Sequence, residues 1–387
     1  MMSSSAEELK KTPLEGLHLE TGGKMVGFCG WSMPLEFPSA GVRQSVLHTR
    51  SACSIFDVSH MLQLRFSGGK QAEFLERLVP SEVRTLKDGE MVYSHLTNRA
   101  GGIVDDCIIS RYSAEEFVVV VNAGCADKDL QHILREKKGL GYDGSVSVEV
   151  IPESLISVNG PQSARVLQRH LPSLDLATVK FMNARHVTGT LAGFRGCRIT
   201  RCGYTGEDGF EVSIPAQHAV AVTKALYAEP EVLPAGLGAR DVLRLEAMLP
   251  LYGNDIDETT SPVEANLSWV VAPSRRVEGP DVVPFLGDKV IRDQLNNSTF
   301  TRRRVGFFVE GGIARQHCKI LDPATGQEIG EITSGTFSPF LKRAVAMGYV
   351  QKAFAKKGIS VKIDVRGKTI DGTVHGAKSF VPTTYFT

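Results

Sequence analysis

Short apolar runs and amphipathic segments alternate along the first 280 residues. Apolar positions at helical spacing predict helices over residues 40–51, 70–78, 127–137, 162–171 and 217–227. Alternating or continuous apolar runs predict a strand pair over 55–57 and 61–66, a strand over 91–96, an antiparallel pair over 105–111 and 116–121, and one strand over 148–158. This order of strands, helix and strands favours an α+β fold over a doubly wound parallel sheet.

The pattern changes after the polar, proline-containing segment 273–284. From Arg302 onward, short apolar runs are separated by glycine and proline turns, as in R-R-R-V-G-F-F-V, I-G-E-I-T-S-G-T-F-S-P and A-V-A-M-G-Y-V. Short strands with such turns are typical of an all-β module. The sequence therefore predicts a small C-terminal barrel or jelly roll.

Length and charge limit the classes of function. A chain of 387 residues is long for one domain, and we expect two or three. Its 42% hydrophobic and 22% charged residues are typical of a globular protein with a large core. The formal net charge of +1 gives no reason to expect nucleic acid or an anionic membrane as a partner, and no apolar run is long enough to cross a bilayer. Small molecules or proteins are the expected partners.

Several common site patterns are missing from the sequence. The seven cysteines are scattered and contain no C-x-x-C pair, which favours reduced thiols over a zinc site or a disulfide framework. The ten histidines contain no H-E-x-x-H, so no protein-held metal is expected. No glycine-rich phosphate-binding motif follows a strand. The N-terminus, M-M-S-S-S-A-E-E-L-K-K, has no secretory apolar core and is short and acidic for a transit peptide.

The stretch N-R-A-G-G-I-V-D-D-C, residues 98–107, combines a glycine turn with two carboxylates in an apolar strand. Because successive strand side chains face opposite ways, either Asp105 or Asp106 should point toward the interior or a pocket. A carboxylate there needs a cation or hydrogen-bond donors. Two interpretations stay open: a turn followed by an edge strand, with Asp105 as a turn acceptor, or a ligand-binding or catalytic carboxylate.

A second dense cluster, R-G-C-R-I-T-R-C-G-Y-T-G-E-D-G-F-E-V at residues 195–212, predicts a hairpin with a turn-rich tip. Glu211 in its second strand is either a solvated edge residue or a pocket carboxylate that accepts a pair of N–H donors. Asn122, where another strand stops, is either a turn cap or a ligand contact. Arg240 and Arg244, four residues apart on a helix, favour a solvated ion-pair face.

Taken together, these clusters resemble one family. The segments that carry the resemblance are G-G-K-M-V-G-F-C-G-W, F-D-V-S-H-M, N-R-A-G-G-I-V-D-D, R-C-G-Y-T-G-E-D-G-F-E, L-R-L-E-A, L-Y-G-N-D-I, R-R-R-V-G, T-S-G-T-F-S-P and F-V-P-T-T-Y-F. They closely resemble the aminomethyltransferases, which are the T-proteins of the glycine cleavage system, from about Thr12 to the C-terminus. The resemblance implies a three-domain cloverleaf around a central tetrahydrofolate pocket. Two interlocked antiparallel α+β domains would occupy residues 12–285, and a C-terminal β-barrel would occupy 295–387.

The resemblance also implies roles for individual residues. Asp106, the second aspartate of G-G-I-x-D-D, would be the catalytic residue and the inward member of the pair. Glu211, the last glutamate of G-E-D-G-x-E, and Arg240, which precedes the aspartate of A-R-D, would be folate ligands. A pterin would offer Glu211 its 2-amino group and a ring N–H. The other implied pocket positions are Tyr385, Asn122, Trp269, Arg304 and Met61.

The implied reaction transfers a methylene group from a carrier protein to tetrahydrofolate. The donor is the aminomethyl group on the lipoyl arm of the H-protein, and the products are 5,10-methylenetetrahydrofolate, ammonia and dihydrolipoyl carrier. The resemblance further implies a mitochondrial matrix location and an acidic carrier. We expect that carrier to dock on a basic rim, for which Arg240, Arg302, Arg303 and Arg304 are candidates.

A related folate-binding scaffold that assists iron–sulfur cluster assembly is the alternative from another class. That scaffold carries K-G-C-Y-x-G-Q-E where this chain has R-C-G-Y-T-G-E-D-G. The cysteine does not occupy the same place, which disfavours the scaffold. Folate-dependent demethylating dehydrogenases share this module but add a flavin domain, for which the chain has no room.

Overall fold

The computed structural model describes residues 8–280 and 282–387. Residues 1–7, on which most of the targeting interpretation rests, lie outside the described residues. The five predicted helices are confirmed as α2 to α6. The helices are α1 Glu15–Glu20, α2 Val42–Ser51, α3 Gln71–Leu78, α4 Ala126–Gly139, α5 Ser163–His170, α6 Ala219–Tyr227, α7 Leu237–Glu246 and α8 Asp288–Asn297. In the two described ranges, no helix has the length and apolar character needed to span a membrane.

The strands form three open sheets and one closed barrel. They are β1 Lys10–Lys11, β2 Lys24–Phe28, β3 Trp31–Glu36, β4 Cys53–Asp57, β5 Leu62–Ser67, β6 Met91–Thr97, β7 Ile103–Arg111, β8 Phe117–Val121, β9 Ser147–Val150, β10 Glu153–Asn159, β11 Asn183–His186, β12 Arg198–Arg201, β13 Gly209–Pro215, β14 Val232–Pro234, β15 Arg302–Glu310, β16 Lys319–Leu321, β17 Glu328–Ser338, β18 Arg343–Gln351, β19 Ser360–Val365 and β20 Lys368–Gly376. The expected α+β class is confirmed. A small three-stranded sheet, in the order β1-β3-β2, accompanies the two larger ones.

A six-stranded sheet has the order β11-β12-β13-β10-β4-β14. Its neighbours are antiparallel except for the parallel pair β14 and β4. One face of the sheet packs on helices α1, α5 and α6 through buried residues such as Leu17, Leu167 and Leu226. Alternation along β13 places Phe210, Val212 and Ile214 in that core. The opposite face is therefore left for the polar positions between them.

A five-stranded antiparallel sheet has the order β6-β7-β8-β5-β9. The predicted pairing of the strands over 105–111 and 116–121 is confirmed as β7 with β8. One face packs on α3 and α4, with Phe74 and Ile133 in the core. The run F-V-V-V-V of β8 is typical of a strand buried on both faces, because β-branched side chains suit a covered pleated surface.

Two chain crossings interlock these sheets and correct two predictions. The strands over 55–57 and 61–66 are not a pair, because β4 belongs to the six-stranded sheet and β5 to the five-stranded one. The single strand predicted over 148–158 is broken between β9 and β10, again in different sheets. Pro152 lies at this break and has no N–H for a ladder. The whole five-stranded sheet is thus inserted between β4 and β10, which pair with each other.

The C-terminal strands close into a six-stranded barrel, in the order β15-β18-β17-β16-β19-β20. Its interior is filled by apolar side chains such as Phe307, Ile332 and Ile363. Helix α7 attaches the barrel to the rest of the molecule, since Leu245 packs with Met347 in a shared cluster. The three-part arrangement is confirmed, whereas the division at 12–285 and 295–387 stays a prediction.

Helix α7 also corrects the interpretation of its basic face. Arg244 is buried rather than solvated, and its guanidinium lies 2.6 Å from the buried Asp255 carboxylate. It also donates to Ser334 of the barrel, at 2.9 Å. A buried pair of this kind is destabilising to break, because the surviving charge has no partner. Arg244 therefore serves the junction between the helix and the barrel.

Candidate active site

Strand β7, which carries both aspartates, lies inside its sheet between β6 and β8. The edge-strand interpretation is therefore wrong. The turn acceptor is also a different residue, because Asn98 Oδ1 accepts the backbone N–H groups of Ala100 and Gly102 at 2.9 and 3.0 Å. A side chain at Gly102 would meet the carbonyl oxygen of Glu258 at 1.8 Å, so only glycine fits.

Asp105 and Asp106 face opposite sides of β7, as strand geometry requires. Asp105 points to the helical layer and is fully buried. Asp106 points away from that layer, on the side of Ile108, and keeps partial exposure. The expectation of a single inward carboxylate is therefore incomplete, because the strand is covered on both faces.

Asn122, just after the end of β8, ties the two carboxylates together. Its backbone N–H donates to Asp105 Oδ2 at 2.8 Å, and its Nδ2 donates to Asp105 Oδ1 at 2.9 Å. The same Nδ2 donates to Asp106 Oδ1 at 2.8 Å. Since Nδ2 carries two protons, both are engaged, and the carbonyl oxygen of the side chain stays available to a ligand.

Two residues of β6 complete the surroundings of Asp106. His95 pairs with Asp106 in the ladder, and Tyr93 lies two residues before it on the same face. Tyr93 hydrogen-bonds to Asp106, and its hydroxyl lies 3.2 Å from Nε2 of His95. Burial and then the charge of Arg304 lower the pKa of His95 to about 3, so its ring is neutral. The sequence analysis did not identify Tyr93 or His95.

The electrostatics of Asp106 differ from those of an exposed aspartate. Burial and then the negative charge of Asp105 raise the pKa of Asp106 to about 7, although hydrogen bonds from Asn122 and Tyr93 lower it. A carboxyl group with a pKa near neutrality can hold or release a proton at physiological pH. Asp106 is thus suited to both charge stabilisation and proton transfer.

Glu211 lies on the six-stranded sheet, on β13 between β12 and β10. It is therefore not a solvated edge residue. Burial raises its pKa, whereas the charge of Arg240 and a hydrogen bond from Cys202 lower it. Apart from that thiol, no donor in the described part of the chain hydrogen-bonds to its carboxylate. Its oxygens are available to paired N–H donors of a ligand.

Arg240, on α7, lies close to Glu211. Its guanidinium stacks on the ring of Tyr204, 4.6 Å from the ring centre. Its Nη1 is enclosed and has no hydrogen-bond partner within residues 8–280 or 282–387. A buried guanidinium nitrogen without an acceptor is costly, so Nη1 is free to donate to an acceptor on a ligand.

A small internal cavity of about 20 Å³, which has room for about one water molecule, lies between the two large sheets. Its lining includes Ile108, Ser110 and Val120 from the five-stranded sheet, and Thr200, Glu211 and Ser213 from the six-stranded sheet. Asp106 precedes Ile108 on the same face of β7. The catalytic candidate and the folate-ligand candidate therefore lie on the two facing sheets, and Glu211 but not Asp106 lines this small cavity.

The C-terminal segment lies against the tip of the β12–β13 hairpin. Thr384 donates its backbone N–H to the Gly206 oxygen at 3.0 Å, and its hydroxyl donates to Glu207 Oε2 at 2.7 Å. Tyr385, the next residue, stacks on Phe181 with ring centres 4.2 Å apart. This brings the last residues of the chain to the Glu211 hairpin, which sequence separation alone did not indicate.

Three remaining candidates have different surroundings. Trp269 is 59% exposed and stacks on Tyr93 with ring centres 5.5 Å apart, so it reaches the Asp106 group through that ring. Met61 is partly buried against the core around Phe56. Arg304 is buried, and its guanidinium donates to the Ala265 and Met248 oxygens at 2.9 and 3.3 Å. Arg304 is therefore wrong as a member of an exposed rim.

Comparisons with known proteins agree with this architecture. Two family models match: the GCVT N-terminal domain over residues 14–275, and the glycine cleavage T-protein C-terminal barrel domain over residues 302–381. The mitochondrial aminomethyltransferase of Dictyostelium discoideum is 44% identical over 392 residues, which cover 99% of this chain and 95% of that protein. The mitochondrial aminomethyltransferase of Homo sapiens is 45% identical over 389 residues, which cover 100% and 93%.

A solved structure extends the comparison to three dimensions. The crystal structure of the glycine cleavage system aminomethyltransferase T from Bartonella henselae is 37% identical, with a TM-score of 0.89. The match covers 98% of this chain and 100% of that one. The similarity therefore includes both interlocked sheets and the barrel.

Proposed function

The chain belongs to the glycine cleavage T-protein family, and from this premise we propose that it binds tetrahydrofolate between its two large sheets and admits the lipoyl arm of an H-protein. Membership, with full-length similarity to named aminomethyltransferases, makes the chain an aminomethyltransferase of the glycine cleavage system. The folate co-substrate, the carrier and the residue roles are the proposed parts.

One observation carries the folate proposal: Glu211 has unused acceptors beside an unused donor of Arg240. A pterin presents adjacent N–H donors and a ring oxygen, so its edge matches both residues. The side-chain carbonyl oxygen of Asn122 offers a third contact. Tyr385, Trp269, Arg304 and Met61 complete the proposed set, with Arg304 acting through the charge it places near His95 and Tyr93 rather than by direct contact.

The proposed reaction assigns Asp106 to the reacting carbon. The C–S bond of the aminomethylated lipoyl arm breaks, the sulfur takes a proton, and the carbon forms bonds to two folate nitrogens as ammonia leaves. The two folate N–H protons go to the thiolate and to ammonia. Carbon that has lost sulfur carries iminium-like positive charge, which a fixed Asp106 carboxylate stabilises. The same carboxylate accepts a proton from the folate amine.

The site needs no nucleophilic side chain for this reaction. Cys202 is buried, and its thiol lies 3.4 Å from the hydroxyl of Thr200. Burial, and a hydrogen bond from the thiol to Glu211, raise the pKa of Cys202 far above the usual range. Such a thiol is not activated for attack or for holding a cluster. The comparisons, too, do not favour the iron–sulfur scaffold alternative.

The test combines binding and turnover on the full chain. Calorimetry with tetrahydrofolate should give one site per chain, and turnover with aminomethylated, lipoylated H-protein should release ammonia. Absence of folate binding would refute the folate assignment. Folate binding without turnover of the loaded carrier would refute the partner assignment.

A mitochondrial matrix location is proposed from the names of the relatives. The Dictyostelium and human relatives are both named mitochondrial. Cell fractionation of the full chain with a C-terminal tag tests this location. Recovery of the tagged chain outside mitochondria would contradict it.

A further inference from the structure

A third carboxyl group lies behind the Asp105–Asp106 pair, and the proposed reaction does not use it. Asp129, in the first turn of α4, is 0% exposed. Neither of its oxygens meets a hydrogen-bond donor in the part of the chain that the structure describes. A buried carboxylate without donors or a cation is strongly disfavoured as an anion. Its environment therefore calls for a proton or another ligand.

A carboxylate oxygen of Asp129 lies within 4.8 Å of one of Asp105, and a hydrogen bond between the two groups would lower the pKa of Asp105 and raise that of Asp129. Asp105 already receives the backbone N–H and the Nδ2 of Asn122, at 2.8 and 2.9 Å, and these donors favour its ionised form. Asp129 receives no comparable donor. When two carboxyl groups share one site, the proton stays on the group whose anion is less stabilised. That group is Asp129.

We propose that Asp129 is a positioning residue: it is held as a neutral carboxylic acid that donates a hydrogen bond to Asp105, and so fixes the Asp105–Asn122 pair that holds Asp106. This inference rests on the proposed role of Asp106 for its effect on catalysis. The hydrogen bond itself does not depend on that role.

The groups around Asp129 favour a proton over a cation. Atoms of Asp105, Cys125 and Asp129 lie within 4.8 Å of one another, which is compatible with a metal. Burial, however, raises the pKa of Cys125 far above its usual range, so a metal would have to displace a firmly held thiol proton. Lys128 supplies no donor either, since its three ammonium protons are taken by Val104 O at 2.7 Å, Tyr252 Oη at 2.8 Å and the Glu258 carboxylate at 3.1 Å. The titratable groups that face Asp129 are Asp105, Asp106 and Cys107 from β7, Cys125 before α4, and Lys128 from α4.

The neutral state of Asp129 matters for the charge at Asp106. The negative charge of Asp105 already raises the pKa of Asp106. A second negative charge on Asp129 would raise it further, and the Asp106 carboxylate would be scarce at neutral pH. One proton on Asp129 limits the charge behind Asp106 to that of Asp105.

The first test is spectroscopic and does not need activity. Infrared spectra of the wild-type enzyme and of Asp129→Asn are compared at about pH 9, roughly two units above the pKa of Asp106, where that residue is ionised. We expect the carbonyl band of a protonated carboxylic acid in the wild type and its loss in the variant. Identical spectra would overturn the proposal. So would a stoichiometric metal ion, found by elemental analysis of the wild type and lost in Asp129→Asn.

The second test separates positioning from folding. Asp129→Leu has similar size but no donor, whereas Asp129→Asn keeps an N–H donor. We expect Asp129→Leu to lower kcat by about 10- to 100-fold, the scale of a lost buried hydrogen bond, and Asp129→Asn to recover most of that loss. Without its donor, Asp105 has a higher pKa and is ionised to a smaller extent. The negative charge that raises the pKa of Asp106 is then smaller, so the acid limb of the kcat profile in Asp129→Leu should move to lower pH. Equal losses in both variants, with the pH profile unmoved, would overturn the proposal.

The two tests stay informative if one part fails. Should Asp129→Leu not fold, the infrared comparison with Asp129→Asn still decides whether Asp129 is protonated. An infrared band from Asp129 together with an active Asp106→Asn enzyme would refute the catalytic role of Asp106 and leave the Asp129 hydrogen bond standing.

Discussion

The side-chain nitrogen of Asn122 lies 2.8 Å from Oδ1 of Asp106 and holds that carboxylate from behind. The second proton of the same amide nitrogen is used by Asp105, at 2.9 Å. The direction of Asp106 is therefore fixed by Asn122, which is itself held by the buried Asp105, before any ligand arrives. Such preorganisation is what a charge-stabilising group requires, because reorientation during the reaction would weaken its effect.

Replacing Asp106 by Asn keeps its size and removes its charge. We expect Asp106→Asn to lower kcat by about 10²- to 10⁴-fold, the usual range for an acid–base or electrostatic group. Tetrahydrofolate affinity should change little, because Glu211 and Arg240 provide the proposed recognition. Steady-state kinetics with aminomethylated carrier and calorimetry with folate provide the two readouts.

The matched control is Asp143→Asn, the same substitution at an exposed position. Turnover of the control should equal that of the wild type. Retention of wild-type turnover by Asp106→Asn would remove Asp106 from the mechanism.

Removing the side chain of Asn122 should move the pH dependence of the reaction. Its hydrogen bond lowers the pKa of Asp106, so Asn122→Ala should raise that pKa and shift the acid limb of the kcat profile to higher pH. Loss of the side-chain hydrogen bonds to the buried Asp105 and the partly buried Asp106 should also reduce the free energy of unfolding by about 1–3 kcal/mol. Urea unfolding and the kcat profile measure the two effects. An acid limb at the wild-type position would show that Asn122 does not act on Asp106.

The raised pKa of Asp106 has opposite consequences for activity and stability. If the carboxylate is the active form, kcat should rise with pH through about 7 and then level off. Above about pH 4 the unfolded chain has released this proton while the folded protein keeps it. The contribution of Asp106 to the free energy of unfolding is therefore fully present below that pH and is lost as the pH rises to about 7.

Asp106→Asn removes this titration and provides the comparison. The stability of the wild type relative to the variant should decrease between about pH 4 and 7 in urea unfolding. A difference that is constant over that window would contradict a raised pKa.

Much of the local structure could be predicted from the sequence, because a helix or strand depends mainly on its own periodicity. The neighbour of each strand in a sheet could not be predicted in this way. Alternation shows which face a strand residue occupies but not which sheet the strand joins. Asp57, at the end of β4, accepts from Thr12 and His18 at 2.7 and 2.9 Å, residues about 40 positions away. Contacts of that range direct β4 into a different sheet from β5, and no local pattern contains them.

The site shows the same limit more sharply. Tyr93 and His95 are two residues apart on β6, the strand before the 98–102 turn, so they share one face. Counting ladder pairs outward from that turn could have placed them near the aspartates. A register shift between Leu96 and Thr97 changes the count by one and pairs His95 with Asp106. An unshifted ladder would have paired His95 with Asp105. The choice of the pocket-facing aspartate therefore depends on an irregularity that composition and spacing do not reveal.

Glu211 should contribute to folate affinity rather than to the rate of the chemical step. Glu211→Gln replaces one acceptor with an NH₂ group that faces a pterin donor, so we expect folate binding to weaken by about 1–3 kcal/mol. Calorimetry measures the effect, and Glu149→Gln at an exposed position is the control. Unchanged affinity in Glu211→Gln would mean that the pterin does not contact this carboxylate.

The carrier-docking prediction now concerns fewer residues. Arg304 is buried, so it cannot meet a protein partner at the surface. Arg240 is partly exposed, but its Nη1 is enclosed and its guanidinium stacks on Tyr204, which leaves little of its charge to a protein partner. Arg302 and Arg303 remain as candidates for the basic rim on which the carrier docks. Arg302 is partly exposed but lies 3.1 Å from the Glu264 carboxylate, which offsets some of its charge. Arg303 lies over the ring of Phe300, 5.0 Å from the ring centre. If the carrier is acidic, these two side chains should act mainly on the rate of encounter.

Salt should therefore distinguish the carrier from folate. Charge attraction at a rim is screened over about 8–10 Å at moderate ionic strength, so raising salt should increase the KM for the carrier far more than that for folate. Reversing Arg302 and Arg303 to Glu should raise the carrier KM at low salt and flatten its salt dependence. Reversal of Lys356 and Lys357, another consecutive pair of exposed cations on the barrel, makes the same change in net charge. An equal effect of both reversals would assign the salt dependence to overall charge, and a carrier KM that stays flat with salt would eliminate electrostatic docking.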